Sequence, residues 1–170
     1  MQTHAQKHMA QYPARPKATP EILLEAGMKV EKNLNAYAHW KGECEGLGQA
    51  LARLPDAKNL NGYELAKALE GSYLIDPDET AVEELAAFGY LVTALVRQLQ
   101  REWADQHKVQ PPHPLGTQLR EGVITDIYDH GPAAYLVDSG HKNSRRIIQF
   151  EDAVTAQEWE QSATAPAATH

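Results

Sequence analysis

His39 and Glu43 stand four residues apart, with Cys44 beside the glutamate, in the segment AHWKGECEGLG. On a helix that spacing places an imidazole and a carboxylate on one face, and such a pair can supply two ligands to a metal in a bundle. Two ligands do not make a site. A matching pair on a second helix is required, and the other histidines fall at or beyond the ends of the expected helices. Glycines 42, 46 and 48 crowd the pair, which favours an ordinary surface reading, so no metal and no cofactor is expected and a metal-dependent enzyme using His39 and Glu43 is kept only as an alternative. Cys44 with His39 as its base fails on geometry, because residues five apart point to different sides of a helix. The chain has no Gly-rich phosphate loop, GxSxG elbow, HExxH or CxxC, so a non-enzymatic role is expected.

A second kind of chemistry is contact with charge. His141, Lys142, Asn143, Ser144, Arg145 and Arg146 form the compact basic cluster of the C-terminal part, with Tyr128 and Tyr135 close enough in sequence to offer stacking surfaces to a nucleic acid. The competing reading is a hairpin loop whose arginines pair with Asp126, Asp129 or Glu151 and protect a strand edge. Opposite in sign, Asp78, Glu79, Glu83 and Glu84 gather at the start of a long apolar-periodic segment. They would repel a phosphate groove, which rules against reading LNGYELAKAL (60–69) and the helix after it as a DNA-reading pair, and they suit a basic protein surface instead.

The elements that must carry these groups are legible from caps and periodicity. Thr19-Pro20-Glu21 sets a cap, a first-turn proline and an early acid, and Leu23, Val30, Leu34 and Tyr37 give the helix one apolar face. KGECEGLGQALARL reads either as a broken helix or as one whose glycines permit close packing. Asn61 with Glu64 forms a reciprocal cap for a third helix that stops near Gly71. The fourth starts at Asp76-Pro77 with Glu79 three residues past the cap, and continues through Val82, Leu85, Phe88, Val92, Leu95, Val96, Leu99 and Trp103. PPHPLG (111–116) cannot continue it.

From Gly122 to Phe150, three short apolar runs separated by DHGP and DSGHKN read as a strand meander, with Leu115 to Leu119 as a candidate fourth strand. A three-stranded ribbon is marginal alone, and a fourth strand lets it close in an SH3-like manner. EDAVTAQEWEQ reads as a short helix, and SATAPAATH as an unstructured tail.

The expected fold is therefore α+β. It comprises a flexible arm over 1–18, a bundle of about four helices over 19–107, a proline-rich linker over 108–116, a small antiparallel β module over 117–153, and a short helix with a tail over 154–170. The net charge of -7 is uneven: residues 1–19 carry three basic and no acidic side chains, whereas 20–107 carry fifteen acidic and eight basic. An acidic helical body disfavours broad phosphate contact. No run approaches the ~20 apolar residues of a membrane span, no apolar leader opens the chain, and one cysteine fits a reducing compartment, so the expected location is the cytoplasm. The expected role is an adaptor, inhibitor or accessory subunit that meets a protein partner through its acidic helices or its β edge, within a nucleic-acid-processing assembly in one version. Direct nucleic-acid binding through loop 141–146 is the alternative.

Overall fold

The computed structural model describes residues 2–74, 76–141 and 144–164. Lys142 and Asn143 of the basic loop, and the expected tail from residue 165, lie outside the described residues. The fold is mixed, with six α-helices and a four-stranded antiparallel sheet among the described residues. The chain forms two compact units, residues 16–99 and residues 1–15 with 100–170.

The first unit is helical. Helix α2 (Pro20–Leu34) begins as its sequence dictates, the Thr19 hydroxyl accepting the Ile22 N–H, and it buries Ile22, Ala26, Val30 and Leu34. Tyr37 lies past its end, so the apolar face is shorter than the periodicity suggested. Residues 36–46 form successive turns instead of continuing the helix. Gly42 and Gly46 both adopt φ of 84°, a left-handed conformation that side chains disfavour, and α3 (Leu47–Arg53) starts only after them. Two other glycines let the helices approach: a Cβ on Gly27 in α2 would lie 2.4 Å from the Gly48 carbonyl oxygen in α3. Helix α4 (Gly62–Leu69) carries the Asn61–Glu64 capping box read from the sequence.

Helix α5 (Glu79–His107) is capped one turn-residue pair later than expected. Asp78, not Asp76, accepts the Ala81 N–H at 2.9 Å, while Asp76 sits at φ 51° outside the helix. Pro77 alone does not dictate the shift, since Pro20 opens α2 directly after its cap; at φ 51° Asp76 lacks the extended backbone of a cap residue. Leu34, Leu47, Leu51, Leu65, Leu74, Leu85 and Phe88 are fully enclosed in this unit's core.

The second unit corrects one expectation. In place of a flexible arm over 1–18, residues His4–Met9 form α1, started by a Thr3–Gln6 capping box and burying Ala5 and Met9. Beyond it, Arg15 is drawn inside with only 7% of its side chain exposed. Its guanidinium donates to both Glu151 oxygens at 2.6 and 2.8 Å and to the carbonyls of Pro132 and Ala133, each at 2.7 Å. The same group lies 5.4 Å above the Trp103 ring, whose Nε1 donates to the Pro13 carbonyl. Within 108–116, Pro112 and His113 are buried, and the His113 backbone is bonded to the Tyr135 hydroxyl.

The sheet runs β1 (Gln118–Leu119), β2 (Gly122–Ile127), β3 (Ala134–Asp138) and β4 (Arg145–Gln149), in that spatial order and all antiparallel. The fourth strand expected near Leu119 is present, as β1. Register shifts between Ile124 and Asp126, a bulge that breaks simple alternation along β2. Leu119, Ile124, Tyr135, Val137 and Phe150 fill the core of this unit. A 3-10 turn at Phe150–Asp152 leads to α6 (Ala156–Thr164), which starts with a reciprocal cap between Thr155 and Glu158.

Removing one partner of a buried ion pair leaves the other uncompensated, so Arg15→Ala lowers stability by roughly 3–5 kcal/mol in urea unfolding followed by far-UV circular dichroism. In the helical unit, Gly27→Ala forces α2 off the Gly48 backbone and costs about 1–3 kcal/mol, while Tyr63→Ala at an exposed position stays within about 0.5 kcal/mol in the same assay.

Candidate partner-binding edge of the sheet

β4 is the last strand of the sheet, and among the described residues it pairs with β3 alone. Arg145 and Arg146 lie opposite Asp138 and Val137 in that pairing, and Ile147 lies opposite Leu136. Both arginines are exposed, and Ile147 is 52% exposed. Neither guanidinium makes an ion pair or hydrogen bond among the described residues. Of the three acceptors that the sequence offered them, Glu151 is held by Arg15 and Asp126 accepts the Ile127 N–H at 2.8 Å, while Asp129 pairs with neither arginine among the described residues. A strand edge presenting main-chain donors and acceptors, two free cations and an apolar side chain can accept an extended segment.

The two tyrosines expected beside this cluster part company. Tyr128 is half-buried, its ring edge-on to His130 with centroids 5.7 Å apart. Tyr135 is fully buried and cannot stack on a ligand. Its register places it inside the sheet against Phe150, 4.5 Å between centroids, and its hydroxyl accepts the His113 N–H at 2.7 Å and donates to the His113 carbonyl at 2.8 Å. Burial pushes the phenol up to about 12. Tyr135 therefore serves structure, fastening the proline-rich segment. Nothing in the alternation around residues 134–137 distinguished an inward tyrosine from an outward one, because both faces carry apolar residues.

The acidic cluster at the start of α5 is only partly available for contact. Asp78 accepts from the Trp40 indole at 3.2 Å and lies 2.9 Å from His39 Nε2, in addition to capping α5. The backbone hydrogen bond from Ala81, helped by Trp40 and His39, holds its carboxyl below the usual range. Glu84 accepts from Asn33 at 3.0 Å and from the Tyr37 hydroxyl at 3.1 Å, and that bond raises the Tyr37 phenol. Glu79 and Glu83 remain as the part of the cluster without such bonds.

The helical face assumed for His39 and Glu43 does not form, since both lie in the turns of 36–46. His39 faces Asp78 instead, and no group of three potential ligands is close enough to hold a metal among the described residues. Cys44 is buried against the carbonyls of Trp40 and Glu31, and burial raises its thiol, the opposite of an activated nucleophile. No described helix is long and apolar enough to cross a membrane. No protein-family model, curated protein or solved structure matches the chain.

His113 gives this unit a pH dependence. Burial depresses its imidazole, with His4 and His8 adding like-charge repulsion and the Ala153 carbonyl and Glu158 opposing both. A depressed folded value means that the unfolded chain binds the proton first, so stability is complete above about pH 6.5 and falls as pH drops below it. Urea midpoints of the wild type measured from pH 8 to pH 5 should fall more steeply through the acid range than those of His113→Gln.

Proposed function

We propose that this is a non-enzymatic cytoplasmic binding protein, an adaptor, inhibitor or accessory subunit that takes an acidic, extended segment of a protein partner onto the open edge of β4. One observation carries the reading: Arg145 and Arg146 make no ion pair or hydrogen bond among the described residues and stand on an outer strand next to the exposed Ile147, with Glu151 held by Arg15. Backbone pairing would supply affinity, and the two guanidinium groups would favour acidic residues on the added strand. The buried, unpaired Cys44 fits a reducing compartment. The finer architecture belongs to the same proposal, with the helices of 16–99 as a bundle of about four and the bulged sheet as an SH3-like module. The acidic helical surface is the lesser candidate for contact, since only Glu79 and Glu83 of its four carboxylates lack a bond to this chain.

Direct nucleic-acid binding is the second reading, favoured by the same two unpaired arginines. Titration of 15N-labelled protein with an extended peptide carrying two consecutive glutamates between valines, one for each face of the strand, separates the two. The expected result is amide shifts concentrated in β4 and an affinity that falls at least about tenfold in Arg145→Glu/Arg146→Glu, with Glu79→Lys/Glu83→Lys unchanged. Salt-dependent binding of bare single- or double-stranded oligonucleotides, lost in Arg145→Ala/Arg146→Ala, without any peptide response, would transfer the site to nucleic acid.

A further inference from the structure

The opposite side of the sheet holds a second feature, independent of β4. A cavity of about 370 Å³ opens between α1, the β1–β2 turn and α6. That volume falls within the span of small-molecule sites, roughly 300–1,000 Å³. Trp159, on its wall, is 48% exposed, unusual for an indole with no structural need to face water. The Arg120 guanidinium lies 4.8 Å over that ring and is fixed from the other direction by the neighbouring Glu121, which accepts its Nε and Nη2. Only 9% of the Glu121 side chain is exposed, and its second oxygen is buried with no partner, so this carboxylate anchors the arginine and does not line the cavity.

The charge of the wall follows from which groups are already engaged. Among the described residues Glu158 is the one carboxylate lining it, and both its oxygens are engaged: one accepts the His4 N–H, the other the Thr155 N–H and hydroxyl. The hydrogen bonds from His4 and Thr155 keep its carboxyl below the usual range despite partial burial. Lys7, also on the wall, has no ion pair or hydrogen bond among the described residues, and Arg120 Nη1 makes none. Among the described residues on the wall, the charged groups without a bond are therefore cationic donors beside an accessible indole.

We propose that this cavity binds a small anion carrying a flat ring, its carboxylate or phosphate held by Lys7 and Arg120 and its ring packed against Trp159. A guanidinium matches a carboxylate or phosphate in geometry as well as charge, and an ammonium adds a point charge. Ring and head group together are required. A neutral ring lacks the partner for Lys7, and an inorganic anion leaves the indole wet.

Two probes separate the sources of the anionic head: indole-3-acetate for a carboxylate and adenosine monophosphate for a phosphate. Each is titrated into the full-length chain by calorimetry and by ligand-observed saturation-transfer NMR, with indole, adenosine and inorganic phosphate as controls. The expected result is binding of at least one probe with a Kd of about 1 mM or tighter, at least about tenfold stronger than its neutral parent and weakened by salt. Lys7 is exposed and unbonded, so Lys7→Glu folds as the wild type by circular dichroism and loses that binding about tenfold or more. Trp159→Ala does the same while leaving Lys7 in place. Absence of binding by both probes at 10 mM (a ceiling roughly tenfold above the expected Kd), equal binding of the neutral parents, an unchanged affinity in folded Lys7→Glu, or preference for an acidic peptide over both probes would each overturn the assignment.

Discussion

The second unit depends on one buried cation. Arg15 reaches its place from a short segment near the start of the chain and finds four acceptors there: two carboxylate oxygens and two carbonyls. Desolvating a guanidinium costs several kcal/mol, so this arrangement holds only because each contact is charge-assisted and Trp103 covers the face. Pro132 and Ala133 flank the β2–β3 turn, and Glu151 lies in the turn after β4. One side chain thus fixes both.

What could be read from the residues was local. The caps at Thr19 and Asn61, the length of α5, the strand meander and the small helix after Phe150 all follow from short-range chemistry and appear where expected. Arg15 could not be read, because a lone arginine between prolines 13 and 16 has no periodic company and its acceptors lie more than a hundred residues away. Helix α1 has six residues, too short for periodicity to register, and is secured by packing and by its capping box. The displacement of the α5 cap from Asp76 to Asp78 could not be read, because cap, proline and glutamate at the same spacing do start a helix at Thr19-Pro20.

Candidate contacts behaved in the same way. The basic residues at 145–146 could be identified by type, but that they are unpaired depends on tertiary placement. Tyr135 was indistinguishable from Tyr128 by alternation, and the bulge at Thr125 further weakens any count of faces along β2. His39 and Glu43 show the limit of spacing rules most directly: four residues mean one face only if the backbone is helical, and two glycines at positive φ prevent it. The Arg120–Trp159 cavity left no motif, since its walls come from three separated stretches of chain.

The two compact units are nested along the polypeptide: one is continuous, and the other is made from the segments on either side of it. A ribosome therefore delivers residues 16–99 as an uninterrupted stretch able to fill its core while synthesis continues. The flanking unit must wait for its far half. Until Glu151 emerges, Arg15 has no carboxylate to meet and the sheet has no lock, so a nascent chain interrupted before that point exposes an apolar sheet core, as well as a charge, to whatever machinery surveys unfinished proteins.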